Sequence, residues 1–218
     1  RETVAQASLI YRWEGSDPSL NAVALLAHQD VVPVSSGTLG DWTHPPFEGF
    51  NDGEFIWGRG ALDMKNQLVC VMETVEDLLA EGFKPLRDIY LCFGHNEEVV
   101  GSENAGAHAI MEVLKSRGVR LDCVLDEGGA ILPVKVKGII DKRLAGVGIA
   151  EKGYVDYEIS VIEKGGHSSQ PPNHTGVGKI ADVVRALEKH QFKPQFPAFL
   201  SDLFGRIGRN TTYPARLV

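Results

Sequence analysis

The chain has 218 residues, 43% hydrophobic and 23% charged, and its 22 Lys and Arg against 29 Asp and Glu leave a formal charge of −7. That balance belongs to a globular protein with a core, and an acidic surface repels phosphate backbones, which argues against nucleic acid as a partner. No stretch reaches the roughly 18 consecutive apolar residues of a membrane helix, and the residues after Arg1 lack the basic, apolar and small-residue order of a secretion signal.

In chain order, Ala22 to Ala27 is an apolar run of strand length that ends at His28-Gln29-Asp30. Gln67 to Glu81 carries Leu68, Val71, Met72, Val75, Leu78 and Leu79 at helical spacing, with Gly82 as a stop. Ile89 to Phe93 reads as a second buried strand, ending at Gly94-His95-Asn96-Glu97-Glu98. Ser102 is the expected N-cap of a helix through Arg117, with Gly118 as its stop. Cys123 to Leu125 is a third strand, ending at Asp126-Glu127-Gly128-Gly129. This alternation predicts an α/β fold with a mostly parallel sheet.

After about Ala150 the pattern changes. Tyr154 to Ile162 alternates apolar and polar residues as a half-exposed antiparallel strand would, Gly165-Gly166 reads as a turn, and Lys179 to Lys189 carries a helical stripe. The change places a boundary near Glu151-Lys152-Gly153: residues 1–152 form one domain and residues 153–218 begin an α+β domain.

Three strands in succession therefore end in His and carboxylate residues, and the carboxyl ends of parallel strands border the crevice where ligands bind. His28, Asp30, Glu97, Glu98, Asp126 and Glu127 converge on one rim, and Asp63, after Gly58-Arg59-Gly60, is within reach of it. Each cluster taken singly is an ordinary turn or surface pair. Together they concentrate negative charge that a divalent cation offsets, and a mixed His and carboxylate set suits zinc. Cys70, Cys92 and Cys123 lie in apolar runs without a CxxC pair, so they are expected to be buried thiols of a reducing, cytoplasmic compartment, neither disulfides nor metal ligands. Other motifs fail: Gly58-Arg59-Gly60-Ala61-Leu62-Asp63 lacks the third Gly of a dinucleotide loop, and neither Gly-x-Ser-x-Gly nor His-Glu-x-x-His occurs.

Five ordered blocks resemble those of the M20 metallopeptidases: Ala27 to Val34, Trp42 to Gly49, Gly58 to Lys65, Gly94 to Glu98 and Leu125 to Gly129. Within that family the chain is most similar to the carboxypeptidase S branch, which includes N-acyl-amino-acid amidohydrolases. The resemblance implies a zinc-peptidase-like catalytic domain followed by a lid and dimerisation domain, with two Zn2+ per site (Co2+ or Mn2+ being alternatives). It implies His28 as ligand of one metal, Asp63 as the bridge, Glu98 as ligand of the second, and Glu127 or Asp126 as the next ligand, with Glu127 preferred. It implies Glu97 as general base, Asp30 as the partner that orients His28, and His167 in Gly166-His167-Ser168-Ser169 as the residue that polarises the scissile carbonyl, commonly in the neighbouring subunit of a homodimer.

The family carries one more His ligand beyond its lid. Only His174 and His190 follow His167, neither in a matching context, so this chain alone is expected to be a fragment with an incomplete second metal site. The expected activity is hydrolysis of an amide bond beside a free carboxylate in small peptides. N-acyl-amino-acid hydrolysis, dipeptidase activity and a non-catalytic metal-binding or dimerisation role are the alternatives.

Overall fold

The computed structural model describes residues 1–99 and 105–213. Its chain divides into two units, Arg1–Gly128 and Gly129–Val218. In chain order the first contains β1 (Glu2–Val4), β2 (Ser8–Trp13), β3 (Ala22–His28), β4 (Phe50–Asn51), β5 (Ile56–Trp57), α1 (Asn66–Ala80), β6 (Ile89–Gly94), α2 (Gly106–Ser116) and β7 (Leu121–Leu125).

Five of these strands form one sheet of order β1-β2-β6-β3-β7. Strand β3 pairs in parallel with both β6 and β7, as the strand–helix alternation requires. The edge differs from expectation, because β1 and β2 form an antiparallel hairpin added to β6. Its turn places Ala5 and Gln6 at φ of 44° and 72°. A turn built without glycine leaves no punctuation to read.

Alternation along β6 sends successive side chains to opposite faces. Tyr90 and Cys92 pack with Ile110 and Leu114 of α2. Leu91 and Phe93 pack with Leu68, Val71, Met72 and Val75 of α1. The sheet thus has one helix on each face, and burial pushes the Cys92 thiol up to about 12. Gly82 and Gly118, at φ of 76° and 70°, end the two helices. The proposed N-cap Ser102 lies outside the described residues.

The cysteine expectation needs correction. All three thiols are free, but only Cys92 is buried; Cys70 and Cys123 are exposed. Cys70 lies on the outer side of α1, and Cys123 lies on β7, an edge strand with every residue exposed. An apolar run shows that a segment packs somewhere, not which of its faces is covered.

The second unit contains β8 (Ile131–Val136) and β9 (Ile140–Ala145), an antiparallel hairpin turned at Gly138, then α3 (Gly176–Lys189) and α4 (Ala198–Arg209). Thr175 caps α3, its hydroxyl accepting from the Gly178 N–H at 3.2 Å. The expected strand Tyr154 to Ile162 is not formed, and no helix or strand is assigned between residues 146 and 167. Alternation makes a segment compatible with a strand, but the strand exists only where a neighbour takes up its N–H and C=O groups. The turn expected at Gly165-Gly166 closes slightly later, where the Gln170 N–H donates to the His167 carbonyl at 2.9 Å. The boundary read near residue 152 falls inside this second unit. Among the described residues, no helix is long and apolar enough to cross a membrane.

Candidate metal centre

Because β3, β6 and β7 run parallel, their carboxyl ends meet at one rim of the first unit. His28 closes β3 opposite Gly94 of β6 and is only 2% exposed. Its Nδ1–H donates to the backbone carbonyl of Asp30 at 3.0 Å. A carbonyl can only accept, so Nδ1 carries a proton and Nε2 is the ring nitrogen that faces the rim.

Three carboxylates surround that nitrogen: Asp63 Oδ1 at 3.2 Å, Glu127 Oε1 at 3.3 Å and Glu97 Oε2 at 3.8 Å. Donor atoms of His28, Asp63 and Glu127 lie within 4.8 Å of one another, as do those of His28, Glu97 and Glu98. Asp126 behaves differently from Glu127: its Oδ1 accepts the Glu127 N–H at 2.9 Å in a local turn. The rim borders a cleft of about 710 Å³ with walls that include Leu26, Ile110, Met111 and Val124.

Protonation reflects this crowding. Burial, with repulsion from Glu98, Asp30 and Asp63, holds the Glu97 carboxyl above the ordinary range against the opposing pull of His28. Glu127 is raised in the same way, by burial and then by Asp63, Glu97 and Asp126. Burial lowers the affinity of His28 for its proton, but the bond to the Asp30 carbonyl and the charge of Glu127 outweigh it and leave the imidazole raised. One imidazole facing four carboxylates is a donor set that fits a divalent cation, whose charge replaces mutual repulsion with attraction.

The loop that delivers Asp63 depends on close backbone approach. Gly60 sits at φ of 79°, and a Cβ there would lie 2.1 Å from Val31 Cγ1, so an alanine meets both backbone strain and a clash. The loop is tied down by the Lys65 Nζ donating to the Gln29 carbonyl at 2.7 Å and the Arg59 N–H donating to Pro46 O at 2.7 Å. The Arg59 guanidinium also lies over the Trp42 ring at 5.2 Å.

Asp30 has a wider set of contacts than the orientation of His28 requires. Its Oδ1 is 3.5 Å from His28 Nδ1, and its two oxygens accept the backbone N–H groups of Glu97 and Glu98 at 3.1 and 3.0 Å. His167 lies in the second unit, exposed, with Nδ1 2.8 Å from Ser169 Oγ. Gln29 and Lys65 belong to the supporting structure but carried no role in the sequence reading. Gln29 Nε2 donates to the carbonyls of Ala7, Phe93 and Gly94 at 3.0, 3.2 and 3.3 Å, tying the end of β3 to β6 and to the turn between β1 and β2 where the rim begins. Its position between His28 and Asp30, on the alternate side of an extended chain, was the available signal.

The chain belongs to peptidase family M20/M25/M40, whose family model matches residues 24–211. It is 42% identical over 216 residues to the probable carboxypeptidase S-like 2 of Dictyostelium discoideum, covering 99% of this chain and 41% of that protein. It is 43% identical over 199 residues to carboxypeptidase S of Saccharomyces cerevisiae, covering 89% of this chain and 34% of that protein. The N-fatty-acyl-amino acid synthase/hydrolase PM20D1 of Xenopus tropicalis is 38% identical over 220 residues, with 100% of this chain and 41% of that protein covered. The chain thus spans well under half the length of these relatives.

Proposed function

We propose that the protein containing this chain hydrolyses an amide bond next to a free carboxylate in a small peptide, using two zinc ions held at the rim of the first unit. The observation that carries this reading is the convergence of Asp63, Glu97 and Glu127 on Nε2 of a buried His28. His28 and Glu127 would hold one ion, Glu98 the other, and Asp63 both. When bound, such a pair supplies Lewis acidity and brings the pKa of a water toward neutrality.

Glu97 would take the proton from a water at this rim and later give it to the departing amine. A carboxyl held above its ordinary range is suited to both transfers. Asp30 keeps Glu97 in place through the backbone and keeps His28 in the tautomer that ligates. His167 polarises the scissile carbonyl, and its place on a separate unit favours delivery from the lid of a partner subunit, with the lid beginning near residue 153. Mixing full-length Glu97→Gln subunits with His167→Ala subunits should partly restore activity, since one site of each mixed dimer then has both residues. No recovery after verified subunit exchange rejects the shared site.

The relatives' names pair a carboxypeptidase with an N-fatty-acyl-amino acid synthase/hydrolase. N-acyl-amino-acid hydrolysis is therefore the second reading. The test compares N-blocked dipeptides with N-acyl amino acids, with and without a chelator. Turnover of blocked dipeptides that chelation abolishes and zinc restores is expected; turnover confined to acyl amino acids selects the second reading, and chelator-insensitive or absent turnover of both rejects a metal-dependent amidohydrolase.

A further inference from the structure

Glu97 and Glu98 stand on a segment, residues 94–98, that is anchored from outside at successive positions. The Gly94 carbonyl accepts the Gln29 N–H at 2.8 Å, and the backbone N–H groups of Glu97 and Glu98 are held by Asp30. Between them, His95 Nδ1 shares a 2.6 Å hydrogen bond with the hydroxyl of Ser8, and Asn96 Oδ1 accepts the Gly106 N–H at 2.6 Å. Ser8 opens β2 and is fully buried, at 0% exposure. Gly106 opens α2 and is also buried.

These three elements meet in a space that only a glycine fits. A Cβ on Gly106 would lie 2.2 Å from Ser8 Oγ, 2.9 Å from His95 Nδ1 and 3.1 Å from Asn96 Oδ1. Gly106 is helical, without a positive φ, so the requirement is for room and not for backbone freedom. The atoms it would strike are the same ones that fix His95 and Asn96, and these two residues immediately precede Glu97. An added Cβ therefore presses on Ser8 and on the two residues that lead into the acidic pair.

We propose that Ser8, His95 and Gly106 are positioning residues that set the placement of Glu97 and Glu98 at the rim, an inference that rests on the metallohydrolase reading above. Ser8 is more than 80 residues away in sequence from the pair it serves, yet a hydrogen bond through His95 links them. Displacement by an ångström is enough to cost about 10²-fold in a positioned reaction, so the effect should fall on kcat and on metal geometry while KM changes little.

The experiment uses the full-length protein, loaded with zinc for turnover and with cobalt(II) for its visible spectrum. Gly106→Ala should lower kcat by about 10²-fold with KM within about twofold, and should alter the cobalt spectrum at full occupancy. Ser8→Ala removes the hydroxyl that holds His95 Nδ1, so on its own it should also lower kcat at little changed KM and alter the cobalt spectrum. If Gly106→Ala yields no folded protein, His95→Asn against His95→Leu decides: Asn retains a polar atom near the Nδ1 position and should keep the wild-type spectrum, whereas Leu should not. Wild-type kcat and spectrum in Gly106→Ala, or in His95→Leu, overturn the proposal. A wild-type protein that binds cobalt but hydrolyses nothing would reject the amidohydrolase reading, while the cobalt spectra would still report on positioning.

Discussion

Glu97→Gln in the full-length protein should lower kcat by about 10²–10⁴-fold and leave the zinc content unchanged. Gln has the shape of Glu and can still hydrogen-bond, but it cannot take a proton from water at neutral pH. Its placement should also survive, because the Asp30 carboxylate holds residue 97 through the backbone N–H and not through the side chain. The removed group is one that burial and three neighbouring carboxylates hold above the ordinary range, the direction expected of a group that must both accept and return a proton. Steady-state kinetics with zinc quantified on the same sample decides the matter. Turnover within a few-fold of wild type removes Glu97 from the mechanism, and loss of zinc makes it a ligand instead.

Asp63→Ala should lose both metal ions, taking zinc from about two per site to near zero after dialysis against a weak chelator. The carboxylate lies 3.2 Å from His28 Nε2 and shares one donor cluster with Glu127. A carboxylate serving two cations holds both and offsets their repulsion, so its loss weakens both sites. The metal-free protein should lose little stability, since the substitution also relieves the repulsion that raises Glu97 and Glu127. The stabilisation that zinc confers on the wild type should disappear, because a ligand stabilises only the state that binds it. Elemental analysis and melting curves with and without zinc measure the two effects. Unchanged stoichiometry contradicts the bridging role, and loss of one ion alone makes Asp63 a ligand to a single metal.

The α/β character of the first unit and the residues at its rim were legible in the sequence because both depend on local pattern. Apolar runs of strand length, helical stripes closed by Gly82 and Gly118, and acidic residues after each strand are read within a dozen positions. Once strands are parallel, their ends share one side of the sheet, so His28, Glu97 and Glu127 are brought together by topology. The order of the five blocks then pointed to the family that residues 24–211 match.

What the sequence left open is non-local. Both Asp126 and Glu127 follow β7, and only the folded chain turns Glu127 toward His28 while Asp126 caps its neighbour's N–H. His28 and Asp30 are read together, yet the carbonyl of Asp30 orients the ring and its carboxylate reaches across to β6. Tyr154 to Ile162 has the alternation of a strand and lacks the assignment, whereas Glu2–Val4, at the edge of the sheet, becomes one by pairing with β2. Periodicity records which side of an element is apolar. Which element comes to lie against that side, and which polar atom fills a space the size of the one at Gly106, is decided by partners many tens of residues away, because packing and hydrogen bonding act through distance in space and not along the chain.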